Sequence, residues 1–161
     1  ATNMTERLAA MRALTMHGEC PERDEALADF EQNWKHNPIV MDKWFAVQAG
    51  QGTAETVAEL AAHPDFDLKN PNRVRSVVGV FSTANLAAFH APDGSGYRAV
   101  EDIILKADAA NPALAARLIT AFEQWRVLEP KAGAAAQATL KRLQEAKLSP
   151  NSADIVGRAL G

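Results

Sequence analysis

The chain has 161 residues, is 47% hydrophobic, and carries a net charge of −3 with one cysteine. That length suits one domain with a real core or a small helical array, and the weakly acidic balance gives no electrostatic footprint for nucleic acid or an anionic membrane. No apolar run approaches a membrane span, residues 1–16 lack a signal-peptide core, and Cys20 alone forms no internal disulfide, so a cytoplasmic setting is expected.

Ala and Leu are abundant and aromatic residues make up only 6%. That bias favours helix, because Ala and Leu lose least on entering one. The first expected helix covers 4–16. Cys20-Pro21 opens the second, 22–35, in which Leu27, Phe30 and Trp34 fall at i, i+3 and i+7. Asn37-Pro38 opens a third over 39–49, ended by a tight turn at Gly50-Gln51-Gly52 with Gly50 as the C-cap. A fourth covers 53–62. Asn70-Pro71 opens the fifth, 72–83, with Val74, Val77, Val78 and Phe81 at i, i+3, i+4 and i+7.

The loop from His90 to Gly96 then breaks the rhythm. Pro92-Asp93-Gly94 has turn chemistry, and Gly94 and Gly96 are free to take positive φ. Helices over 97–109, 112–126, 131–146 and 151–160 complete the chain. Val100, Ile103, Ile104 and Ala107 stripe the first of them. Leu114, Leu118, Phe122 and Trp125 stripe the second, and Ala136, Leu140 and Leu143 the third. Asn111-Pro112, Glu129-Pro130 and Ser149-Pro150 supply the last three starts. The Asn-Pro pairs stand roughly 33 and 41 residues apart, the length of a two-helix repeat, although the residues between them do not repeat clearly. No stretch alternates in the way a strand requires. The chain is therefore expected to be a single all-α domain, 1–161, of degenerate antiparallel helical hairpins.

Candidate chemistry is sparse. His17, His36, His63 and His90 show no spacing that would build a zinc site on one helix, and no metal ligand is assigned. Cys20, at a helix start, has no positioned base nearby and reads as an incidental small residue. Asp93-Gly94-Ser95-Gly96 lacks the Gly-Lys-Ser/Thr ending of a phosphate loop and has no strand before it. It reads as an ordered turn tethered by Tyr97 and Asp93. Trp34, Trp44 and Trp125 read as packing residues. No catalytic set is present. Arg73 and Arg75 flank Val74, about 200° apart around the helix. Each is open to two readings, a surface ion pair or a fork aimed into a cleft. Arg117, beside the Leu114–Leu118 stripe, has the same two.

Several uncommon runs occur in one order: Asn33-Trp34, Val40-Met41-Asp42-Lys43-Trp44-Phe45, NPNRVRSVVGVFSTANLAAFHAPDGSGY over 70–97, and NPALAARLITAF over 111–122. In these runs, and from residue 3 to the end, the chain resembles the C-terminal helical domain of bacterial aminopeptidase N, a family of zinc metallopeptidases. The resemblance implies a right-handed all-α superhelix, similar to HEAT or armadillo repeats, that closes over a catalytic domain and limits access to peptides. It implies that this sequence is one domain of a longer polypeptide whose other domains are its partners. The Zn2+, its His-Glu-x-x-His ligands and the general base then lie in a domain absent here, and this chain holds no cofactor. It further implies that Arg75 and Arg117 line the substrate channel and do no bond chemistry. The competing reading is a free-standing helical-repeat adaptor that takes a peptide or helix in a concave groove.

Overall fold

The computed structural model describes residues 3–161, and among them every regular element is helical. Helix α1 is Met4–Met16, α2 Pro21–Trp34, α3 Pro38–Gln51 and α4 Ala54–Ala61. Helix α5 spans 71–84 and is composite, with a π-helical turn at Arg75–Gly79 between Pro71–Val74 and Val80–Ala84. Short α6 is Leu86–Phe89, α7 Ser95–Ala110 and α8 Pro112–Ile119. Two 3-10 turns, Thr120–Phe122 and Trp125–Val127, lead to α9, Pro130–Glu145, and α10, Pro150–Leu160.

The six proline-led starts read from the sequence all open helices. At three of them the asparagine side chain caps the helix. Asn37 Oδ1 accepts from Val40 N at 3.3 Å, Asn70 Oδ1 from Asn72 N and Arg73 N at 3.1 and 3.3 Å, and Asn111 Oδ1 from Leu114 N at 3.2 Å. Proline at the next position gives up an N–H that no helix uses there. Successive helices pack as hairpins: α1 on α2, α3 on α4, α7 on α8 and α9 on α10. Helix α5 lies against α3 and α4, and α7 joins α4 to α9.

The expected stripes form the core. Val74, Val77, Val78 and Phe81 are fully buried, as are Val100, Ile104 and Ala107, and Ala136, Leu140 and Leu143. Phe89, Tyr97 and Phe122 meet edge-on with ring centroids 5.0–5.6 Å apart, joining α6, α7 and the first 3-10 turn. Edge-to-face contact of this kind adds to the area buried.

Four details depart from the sequence reading. Helix α3 runs through Gly50, which packs 3.4 Å from Val80 if given a Cβ, and Gly52 is its C-cap. Helix α6 was not expected; at four residues it is too short to show a period. Asn85 breaks the chain before it (φ −114°, ψ 60°), and its amide donates to Ala49 O and Gly52 O at 3.0 and 2.7 Å. The helix expected over 112–126 tightens after Ile119, which lets Trp125 and Arg126 reach the carbonyls that end α10. Finally, Gly94 is left-handed at φ +73° but Gly96 is helical. A Cβ on Gly96 would sit under 3.0 Å from Ala88 O and Phe89 O, so close approach of backbones, not a turn, requires glycine there.

Candidate functional site

Arg73 and Arg75 part company as their helical separation requires. Arg73 is 5% exposed. Its Nε donates to Asp42 Oδ1 at 2.6 Å, Nη1 to Asp65 O at 2.5 Å and Nη2 to Pro38 O at 3.3 Å, and the guanidinium lies 4.6 Å from the centre of the Phe45 ring. With its donors taken by α3 and the loop after α4, Arg73 is a structural tie. Arg75 is exposed on the other side of α5, within the π-turn.

Arg75 shares an open pocket of about 370 Å³ with Arg117 of α8. Gly79, Leu114, Leu118 and Ala121 form its apolar lining, and Ser82, Thr83 and Thr120 bring hydroxyls to it. Among the described residues neither guanidinium has an ion-pair or hydrogen-bond partner. The structure thus brings together the two arginines singled out by resemblance, which lie 42 positions apart (117 − 75). The hydroxyls were not foreseen. Their signal was available: positions 75, 79, 82 and 83 recur at helical spacing on one face, as do 117, 120 and 121.

The loop before Tyr97 is held by its own hydrogen bonds. Asp93 Oδ1 accepts from Ser95 N at 2.9 Å and Ser95 Oγ at 2.6 Å, which holds its carboxyl below the usual range. Tyr97 is buried; its hydroxyl meets His90 Nδ1 at 2.5 Å. Burial pushes the phenol up to about 12 and the imidazole down, so a neutral phenol faces a neutral ring.

One group of side chains has the composition of a metal site. Glu31, His63 and Asp65 bring ligand atoms within 4.8 Å of one another. The hydrogen bonds around His63 oppose a metal there. Its Nδ1 accepts from Asp65 N at 3.0 Å, so the ring proton is on Nε2, facing Glu31 Oε1 at 2.8 Å. A ligating nitrogen must present a lone pair. The trio ties α2 to the end of α4 and does not fit a zinc ion.

Residues 1–161 match the family model described as "Domain of unknown function (DUF3458_C) ARM repeats". The chain belongs to this ARM-repeat family. It is 41% identical to aminopeptidase N of Caulobacter vibrioides over its whole length, and 39% identical to that of Escherichia coli over 89% of it. Aminopeptidase N of Haemophilus influenzae is 48% identical over 74% of the chain. The solved structure of Legionella pneumophila aminopeptidase A in complex with aspartic acid is similar over 99% of the chain, with a TM-score of 0.89 and 34% identity. The chain spans only 14–19% of the length of these relatives. The resemblance to the C-terminal helical domain of aminopeptidase N and the all-α solenoid reading are both borne out. No helix among the described residues is long and apolar enough to cross a membrane.

Proposed function

We propose that this chain is a non-catalytic domain of a zinc-dependent aminopeptidase N, and that it walls the chamber where N-terminal residues are released from peptides. The observation that carries the reading is the pair of unpartnered arginines, Arg75 and Arg117, lining one pocket. A guanidinium is always charged and offers a planar fork of donors that matches a carboxylate. Two such forks on a chamber wall attract the free carboxylate of a short peptide and hold its tail while chemistry proceeds elsewhere. The zinc, its ligands and the general base belong to other domains of the same polypeptide; no residue of this chain takes part in bond cleavage. A helical wall of this kind admits flexible peptides and excludes folded proteins. Its relatives' names and the small share of their length that it covers both support the reading.

The test is Arg75→Ala and Arg117→Ala in the full polypeptide. Each should raise KM for di- and tripeptides about tenfold with kcat unchanged, the signature of lost uniform binding through a charge-assisted contact. Peptides with an amidated C-terminus should be indifferent to both changes. Unchanged kcat/KM on free-carboxylate tripeptides for both variants would sink the proposal.

A further inference from the structure

The hydroxyls of the arginine pocket have already committed their protons. Thr83 Oγ1 and Ser82 Oγ donate to Gly79 O at 2.7 and 3.3 Å, and Thr120 Oγ1 donates to Arg117 O at 2.6 Å. A hydroxyl has one proton and two lone pairs. In these rotamers the oxygens meet the pocket as acceptors only. Arg75 and Arg117 are the reverse, with N–H donors and no acceptor. Thr83 and Thr120 are exposed, whereas Ser82 is half-buried and more weakly bonded. The neutral polar groups open to a ligand are therefore chiefly those two threonines.

This division has a chemical consequence. A bare oxyanion satisfies the guanidinia but sets its own acceptor oxygens against the threonine oxygens. A ligand that carries an N–H donor next to its carboxylate brings a donor to the threonine oxygens as well as acceptors to the guanidinia, and Leu114, Leu118 and Ala121 offer its side chain an apolar lining. The last residue of a peptide is such a ligand, because its amide N–H stands one carbon from the terminal carboxylate. Building on the reading of this pocket as a tail site, we infer that Thr83 and Thr120 act as specificity determinants that select tails ending in an amide N–H and carboxylate over bare anions and ester-linked tails.

The experiment compares a tripeptide with its depsipeptide analogue, in which an ester oxygen replaces the last N–H, in the full polypeptide. Neutral hydrogen bonds of this kind are worth about fivefold in affinity. The wild type should show a KM roughly fivefold lower for the amide tail at equal kcat. Thr83→Val together with Thr120→Val should erase the difference by raising the amide KM alone. Thr83→Ser with Thr120→Ser should retain it, which separates loss of the acceptor from damage to the fold. Equal KM for amide and ester tails in the wild type overturns the inference, as does a preference that survives in the valine variant. The arginine variants report on the underlying reading separately: a carboxylate effect without an amide preference leaves the tail site standing and removes only the threonine selection.

Discussion

The three tryptophans occupy apolar stripes of the same kind, yet their indole nitrogens meet different fates. Trp44 Nε1 donates to Leu27 O and Trp125 Nε1 to Ala159 O, each at 2.9 Å, so each ring also links two elements. Trp34 Nε1 is buried and, among the described residues, has no partner. A buried donor left unpaired forfeits its hydration without recompense, whereas a paired one contributes about 1 kcal/mol net. Replacing each tryptophan by phenylalanine should separate these cases. Trp44→Phe and Trp125→Phe should lower stability by about 1 kcal/mol, since each removes a hydrogen bond that links two elements. Trp34→Phe should stay within about 0.5 kcal/mol of wild type or exceed it, because deleting an orphan N–H offsets the smaller ring. Urea titrations followed by far-UV circular dichroism provide the measurement, and equal losses at all three positions would show that Trp34 has a partner after all. The two arginines make a parallel case. Arg73, with its donors committed, belongs to the fold, whereas Arg75 two residues later is exposed and, among the described residues, makes no hydrogen bond or ion pair.

At the scale of elements, α10 is capped from outside its own sequence. Ser149 precedes its first turn but makes no side-chain cap bond to it. Instead Asp108, at the end of α7 and 7% exposed, accepts from Ser149 N at 2.7 Å, Ser149 Oγ at 2.6 Å and Ser152 Oγ at 2.5 Å. Burial alone would raise this carboxyl; the bonds from Ser149 and Ser152 outweigh it and hold the group below the usual carboxylate range. A carboxyl lowered on folding contributes stability that is present above its unfolded value, about 3.9, and is lost as pH falls through the folded one. Asp108→Asn should therefore cost about 2 kcal/mol at pH 7, and its deficit should shrink steadily below about pH 4. A deficit constant from pH 7 to pH 3 would contradict this account. Asp108 also marks a limit of what is legible locally. The Asn-Pro starts could be read because cap and proline act on their own helix. A cap supplied from 41 residues away leaves no local trace (149 − 108). The same holds for the π-turn at Arg75–Gly79 and the 3-10 turns after Ile119, where apolar spacing fits several helical windings and tertiary contacts choose among them. In the site, the placement of Arg75 and Arg117 beside packing stripes could be read, but their meeting in one pocket depends on how α5 and α8 are arranged.

Across the described residues the core is one continuous cluster from Met11 to Ala159, but α1 and α10 are secured to it unequally. In an array of hairpins each unit is stabilised mainly by its neighbours. Helix α1 buries only Met11 and Thr15, and α2 only Phe30. The Arg7–Asp29 pair between them, at 3.1 Å, has 57% of the aspartate side chain exposed. An ion pair so open to solvent is worth little. Helix α10 is clamped. Arg126 donates to Ala159 O and Leu160 O at 3.0 and 2.8 Å while stacking on Trp125, and Val156 and Ser152 are fully buried in the same helix. Local opening follows buried apolar contact and the exposure of backbone bonds. Native-state hydrogen exchange on this chain should therefore find amides of α1 opening at least about 2 kcal/mol below those of α5 and α7, with α10 close to the latter. Arg126→Ala should bring α10 down toward α1 while leaving α1 unchanged, since α10 packs on α8 and α9 whereas α1 packs on α2 and α3. Uniform protection would instead mean that the ten described helices open as a single cooperative unit and that the Arg126 clamp is redundant.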